Sequence, residues 1–320
     1  MEGLLRSSIL AASRSKGVEK LITNAPVSRD VVRRYVGGAL SAEAIDATRA
    51  LVKDGLTVTL DHLGEDTTER VQADDVANAY RDVLTGLNTA GLTERLAHLT
   101  ARVEVSVKLS AVGQALGADG DKIALEHARD ICAAAEAVGA TVTLDAEDHT
   151  TTDSTLGILT DLRADFPATG AVVQAYLHRT EGDCRDLARS GSRVRLCKGA
   201  YKEPSTVAYQ KPLDVDLSYV RCTNVLMAGE GYPMLATHDP RLIAIGIERA
   251  KAHGKHAGRD FELQMLYGIR PNEQRRLAAD GHTVRIYLPY GAEWYGYLMR
   301  RLAERPANVL FFARSLISKG

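Results

Sequence analysis

The sequence predicts an α/β fold, a TIM-like (βα)₈ barrel with extra N-terminal helices. Two observations lead there. From about residue 57 onward, short β-branched apolar runs alternate with longer segments of helical character, as βα units around a parallel sheet require. The runs number eight, and residues 55–310 supply the roughly 250 residues that eight such units occupy.

The runs fall at 57–63, 103–109, 141–147, 171–177, 193–199, 234–238, 261–266 and 284–289, each followed by a candidate helix. A doubly wound sheet is the competing α/β answer. It is disfavoured because neither a Gly-x-Gly-x-x-Gly turn nor a Gly-x-x-x-x-Gly-Lys-Ser/Thr loop is present. Residues 1–54 carry apolar side chains at helical spacing (Val31, Val32, Tyr35, Val36) and are expected to form a helical segment packed on the barrel, with 55–320 forming the barrel itself.

Composition narrows the function classes. Of 320 residues, 45% are hydrophobic and 25% charged, which suits a folded core and excludes a disordered or coiled-coil chain. Forty basic against forty-one acidic residues leave a net charge of -1, with no block of five like charges, so no nucleic-acid partner is expected. Cys132, Cys184, Cys197 and Cys222 lack C-x-x-C spacing, which argues against a metal site or a disulfide framework and for a reducing, intracellular setting. No 18-residue apolar run could serve as a transmembrane segment, and the N-terminal apolar stretch is too short for a signal peptide.

Side chains two apart share a face of a strand, so each run divides into two rows. Val103, Val105, Val107 and Leu109 oppose Ser106 and Lys108; Val142 and Leu144 oppose Thr143, Asp145 and Glu147; Val173, Ala175 and Leu177 oppose Gln174 and Tyr176. Val194 and Leu196 oppose Arg195 and Cys197, and Val284, Ile286 and Leu288 oppose Arg285 and Tyr287. With the aliphatic rows against the helices, Lys108, Asp145, Gln174, Arg195, His238, Gln264 and Tyr287 point inward near the C-terminal strand ends, where barrel enzymes build their sites. Each alone also fits a structural role: a neutralised Lys108–Asp145 pair, a satisfied core histidine, a filler tyrosine. Together they predict a pocket, because barrel interiors are usually filled with branched apolar side chains.

Lys108, Arg195 and Lys198 outnumber Asp145 and Glu147, so the pocket is expected to take an anionic group. After the eighth run, Glu304 lies four residues from Arg300 and three from Arg301, where it can brace both guanidinium groups. Paired arginines suit a carboxylate, which they grip through parallel hydrogen bonds. The same spacing also fits a solvated pair favoured by the negative end of the helix dipole.

The strings around these residues are Val-Ser-Val-Lys-Leu-Ser-Ala (105–111), Leu-Asp-Ala-Glu-Asp (144–148), Gln-Ala-Tyr-Leu (174–177), Val-Arg-Leu-Cys-Lys-Gly-Ala-Tyr (194–201), Ala-Thr-His-Asp (236–239), Phe-Glu-Leu-Gln-Met-Leu-Tyr-Gly (261–268), Arg-Ile-Tyr-Leu-Pro-Tyr-Gly (285–291) and the Arg-Arg-Leu-Ala-Glu segment. In this order, across about residues 55–310, the sequence resembles the proline dehydrogenase family in its monofunctional bacterial form. The resemblance implies a distorted (βα)₈ barrel and FAD-dependent oxidation of L-proline to Δ1-pyrroline-5-carboxylate, the first step of proline catabolism, with hydride passing from C5 to flavin N5. It further implies a quinone electron acceptor, a separate pyrroline-5-carboxylate dehydrogenase, and a cytoplasmic location with peripheral contact on the inner face of the cytoplasmic membrane.

By matching motif, the resemblance implies that Arg300 and Arg301 hold the substrate carboxylate, supported by Glu304, with Lys108 adding positive charge. Asp145 would pair with Lys108 or the arginines, Tyr287 would pack on the proline ring, and Tyr201 and Leu266 would line the pocket. Tyrosine at 287 favours proline over hydroxyproline. Gln174, Arg195, Cys197, Lys198, Gly199, Ala200, Thr237 and His238 would hold FAD, with Arg195 near N5. Cys197, where the family commonly has an aliphatic residue, and Lys202, where an aromatic is common, depart from the pattern. An imine-forming lysine at a strand end, Lys108 or Lys198, keeps a Schiff-base aldolase open as a second chemistry. A barrel that only binds an amino acid or a partner protein is disfavoured by the number of inward charges.

Overall fold

The computed structural model describes residues 32–97, 100–189 and 192–304, and of helix residues Arg189, Arg300, Leu302, Ala303 and Glu304 it describes the backbone alone. Eight parallel strands close into a barrel: β1 (Thr57–His62), β2 (Val103–Val107), β3 (Thr141–Leu144), β4 (Gly170–Gln174), β5 (Arg193–Cys197), β6 (Tyr232–Ala236), β7 (Glu262–Leu266) and β8 (Val284–Tyr290). Each pairs with its sequence neighbours, and β8 returns to β1 with Thr59 beside Tyr287. Six of the eight strands end one to three residues before the predicted runs do, while β7 ends at Leu266 as expected and β8 runs on to Tyr290. β2 stops at Val107 and β3 at Leu144, because Leu109–Gly113 and the segment after Leu144 turn away as loops toward the site.

Helices α1 (Ser41–Lys53), α2 (Arg70–Thr89), α3 (Gly120–Ala137), α4 (Thr152–Arg163), α5 (Thr180–Arg189), α6 (Pro212–Ala228), α7 (Pro240–Ala252), α8 (Pro271–Ala279) and α9 (Trp294–Glu304) alternate with the strands. On α2, Ala73, Ala77, Tyr80, Leu84 and Leu87 are buried, steps of four and three that place one stripe against the barrel. Proline at the first turn of α6, α7 and α8 presets the backbone without forfeiting an intrahelical hydrogen bond. The aliphatic strand rows, such as Val58 and Leu60 or Val103, Val105 and Val107, join the buried core with these stripes. Truncating such a side chain to alanine costs about 2–5 kcal/mol.

The helix α1 packs against the barrel through buried Ala44 and Thr48. The remainder of the expected N-terminal segment, residues 1–31, lies outside the described residues, as does 305–320. Gly268 (φ +74) meets the segment before α1: a Cβ there would stand 1.8 Å from the carbonyl oxygen of Arg34, so only glycine permits the approach. Among the described residues no helix is long and apolar enough to cross a membrane.

Candidate active site

The inward rows of this barrel are charged and largely satisfied internally. In its lower half, Arg193 and Arg195 both reach Glu104, Arg195 Nη2 at 2.7 Å from Oε1, while Thr59 Oγ1 donates to the same oxygen at 2.8 Å. Arg285 Nε donates to Glu262 Oε1 at 2.7 Å, while its Nη1 and Nη2 donate to the carbonyls of Val58 and Ala101. Burial alone would raise the pKa of Glu104, but the three surrounding guanidinium groups outweigh it and hold the carboxyl well below the usual range.

Above this layer Arg195 is fixed from four sides. Its Nε donates to Gln264 Oε1 (2.6 Å), and Nη1 donates to Ser106 Oγ (2.8 Å) and Asp145 Oδ1 (2.9 Å), in addition to the Glu104 bond. The Tyr287 hydroxyl donates to Asp145 Oδ2 at 2.6 Å, and the tyrosine ring lies 5.3 Å from the Arg195 guanidinium carbon. Burial, then the Asp145 charge, push the phenol far above its ordinary pKa, so it stays a donor. Lys108 Nζ lies 2.6 Å from Asp61 and 4.0 Å from Asp145. Desolvation works against the ammonium, but the two carboxylates prevail and keep it protonated beyond the ordinary lysine value.

These groups form the floor of a cavity of about 530 Å³ at the C-terminal ends of the strands, within the range of small-molecule sites. All seven inward residues predicted from the strand rows line it: Lys108, Asp145, Gln174, Arg195, His238, Gln264 and Tyr287. Cys197, Lys198, Gly199, Ala200, Thr237, Tyr201 and Leu266 line its walls, and Arg301 reaches it from α9 with its guanidinium 5.4 Å from the Tyr297 ring. The side chains of Arg300 and Glu304 lie outside the described residues.

Local chemistry sets each wall residue. His238 Nε2 accepts from the Leu266 N–H at 2.8 Å, so that nitrogen carries no proton. The Cys197 thiol donates to the Val173 carbonyl, and burial pushes its pKa up to about 12, so it is not a reactive thiolate. Lys198 is held by Asp216 at 2.6 Å and Asp239 at 3.5 Å. Gly199 has φ +110, and a Cβ there would sit 2.3 Å from the Tyr176 ring.

Three expectations change. Lys108 pairs chiefly with Asp61 rather than Asp145, which instead serves Arg195 and Tyr287. The positive excess inferred for the pocket disappears at its floor, where Asp61 and Asp145 match Lys108 and Arg195, and in the layer beneath, where Glu104 and Glu262 match Arg193 and Arg285. Any net attraction for an anion must therefore come from the rim and α9. Glu147 and Tyr176, placed on inward rows by alternation, do not line the cavity, because the chain has left strand geometry before reaching them; Glu147 binds Ser110 and Tyr176 packs with Leu177 and Ala208. Asp61, Glu104 and Glu262 were the residues missed, although Asp61 shares a row with Thr59, and Glu104 with Ser106 and Lys108.

The proline dehydrogenase family profile matches residues 44–314. The chain is 38% identical to the proline dehydrogenase of Deinococcus radiodurans over 320 residues, covering 99% of both chains. It is 34% identical to proline dehydrogenase 1 of Bacillus subtilis over 316 residues, covering 99% of this chain and 100% of the relative. Among solved structures, proline utilization A (PutA) from Bdellovibrio bacteriovorus inactivated by N-propargylglycine superposes with a TM-score of 0.76 at 27% identity over 85% of this chain. PutA from Bradyrhizobium japonicum (mutant D778Y) gives 0.73 at 25% identity over 90%. The chain spans about a third of those two proteins, 32% of each. With the family profile across most of the chain and full-length relatives at these identities, the chain belongs to the proline dehydrogenase family.

Proposed function

We propose that this protein oxidises L-proline to Δ1-pyrroline-5-carboxylate with FAD. The observation that carries the reading is the convergence of Lys108, Asp145, Arg195 and Tyr287 on one cavity that Arg301 enters from α9. The cavity fits a flavin in kind: Gln174, Arg195 and Lys198 offer donors, Val172, Met265 and Leu266 offer apolar surface, and the Gly199–Ala200 backbone adds little side-chain bulk. When bound, FAD would supply the hydride acceptor at N5 for the hydrogen leaving proline C5, with a quinone as the next acceptor.

The protein's own part is binding and positioning. Arg301, together with Arg300 braced by Glu304, would hold the substrate carboxylate; two parallel guanidinium hydrogen bonds fix its orientation as well as its charge. Tyr287, tied to Asp145, would present a fixed ring to the proline ring, with Tyr201 and Leu266 completing the pocket. Lys108 would act as a buried cation rather than a nucleophile, because Asp61 keeps it protonated, and this disfavours imine chemistry. Gln174, Arg195, Cys197, Lys198, Gly199, Ala200, Thr237 and His238 would hold the cofactor. In this reading the protein is cytoplasmic and meets its quinone by peripheral contact with the membrane face, and a separate pyrroline-5-carboxylate dehydrogenase takes the product.

The test is Arg301→Met, compared with wild type for flavin content and proline KM. The reading expects flavin content near wild type and a KM raised by at least about ten-fold, the loss of one charge-assisted pair. An unchanged KM would remove Arg301 from the carboxylate clamp.

A further inference from the structure

Glu147 belongs to a stretch that runs inward through Asp145, yet its carboxylate turns aside to the loop after β2. Oε1 accepts the Ser110 N–H at 3.1 Å and Oε2 accepts the Ser110 hydroxyl. Having given its proton to Glu147, that hydroxyl accepts the Asp66 N–H at 3.2 Å, and the Ser110 carbonyl accepts both the N–H (3.3 Å) and the Oγ1 hydroxyl (2.9 Å) of Thr67. The β1–α2 loop is thus tied by two consecutive residues to one serine, and that serine to one carboxylate.

The tie matters because of what the loop carries. Asp66 holds φ +53, a left-handed conformation that a non-glycine residue keeps only when its surroundings enforce it. On its other side, Leu63 and Glu65 line the cavity, and Leu63 packs with Val36 and Tyr297. Tyr297 is on α9, and its ring lies under the Arg301 guanidinium. A continuous path therefore runs from Glu147 through Ser110 and the 63–67 loop to the seat of α9.

We infer that Glu147 is a positioning residue: through Ser110 it latches the 63–67 loop and so sets the seat of α9 over the cavity, governing substrate capture. The inference rests on the reading that α9 grips the substrate carboxylate. The Glu147 side chain is not in the cavity wall; its one link to the wall is the backbone carbonyl, which accepts from Gln174 Nε2 at 2.7 Å and is kept in any side-chain variant.

The test uses the flavin-loaded full chain with Glu147→Gln and Ser110→Ala. In Glu147→Gln one of the two accepting oxygens becomes an NH2 donor, so the grip of one oxygen on each Ser110 donor is lost, and Ser110→Ala removes a single oxygen. Three readouts are taken: proline KM and kcat, the dissociation constant of cyclopentanecarboxylate (a ring carboxylate with no amine to oxidise) by calorimetry, and the rate of cleavage after Glu65 by a glutamate-specific endoproteinase. Both variants are expected to raise KM and the dissociation constant about ten-fold, keep kcat within about two-fold, and speed cleavage at Glu65. Unchanged cleavage overturns the latch. Faster cleavage with unchanged KM and dissociation constant overturns its link to α9, and a fall in kcat at unchanged KM assigns Glu147 to the chemistry instead. If wild-type protein does not oxidise proline at all, the proposed function falls, while the protease and calorimetric arms still decide the latch.

Discussion

Asp61 Oδ1 on β1 and Lys108 Nζ at the end of β2 lie 2.6 Å apart, with their side chains 2% and 10% exposed. Pairing across β1 and β2 removes both charges from water together; separating them leaves the ammonium only the longer-range attraction of Asp145, at 4.0 Å, and of Glu65. Asp61→Leu is therefore expected to cost about 3–5 kcal/mol of stability, as breaking a buried pair does, and Asp61→Leu with Lys108→Leu to recover most of it. Thermal melting of the single and double variants checks this, and additive losses would refute the coupling.

Stability should fall on the acid side and stay level through neutrality. Glu104 has a depressed folded pKa, so its contribution is present above the unfolded value of about 4.3 and is lost as pH falls below it. Lys108 has a raised pKa, so its contribution is complete at neutral pH and is lost only on the alkaline side, above about 10. Melting temperatures between pH 3 and 8 are expected to show a steep acid limb that Glu104→Gln flattens, at the expense of stability at pH 7. An acid limb of the same slope in the variant would assign it to other carboxylates.

Tyr287→Phe removes one hydroxyl and with it the 2.6 Å bond to Asp145. Asp145 keeps its Arg195 partner, so the fold should survive while the ring loses its tether. The expected outcome is a proline KM raised by about ten-fold, from a charge-assisted hydrogen bond contributing roughly 1.5–3 kcal/mol, with flavin content unchanged. Steady-state kinetics and the flavin-to-protein ratio read the two effects separately.

Gly199→Ala tests the cofactor wall. The new methyl would face the Tyr176 ring at 2.3 Å, and the φ of +110 disfavours any side chain. The 197–201 segment must shift, and the flavin-to-protein ratio of the purified variant is expected to fall by at least half. A stoichiometric flavin content would mean that this backbone does not touch the cofactor.

The barrel was legible because most strands are β-branched runs whose two rows differ in chemistry, as in β2, where Val103, Val105 and Val107 stand opposite Ser106 and Lys108; β6 and β7, built on Met and Leu, carry the weaker signal. The same alternation placed seven residues inward, and all seven line the cavity. It failed at Glu147 and Tyr176 because period-two reasoning ends where the strand ends: Glu147 is three residues beyond β3 and Tyr176 two beyond β4. The charge balance was illegible for another reason. Glu104 meets Arg193 and Arg195 across the barrel lumen, 89 and 91 residues away in sequence, and no local spacing rule connects them. Asp61 was within reach of the row argument, since Thr57, Thr59 and Asp61 share a face.

The most direct measurement is the visible absorption spectrum of the purified protein, recorded anaerobically before and after L-proline is added. The account predicts a flavin spectrum that bleaches with L-proline and does not bleach with hydroxyproline. A colourless protein that added FAD cannot restore, or a flavin that L-proline leaves oxidised, would contradict it.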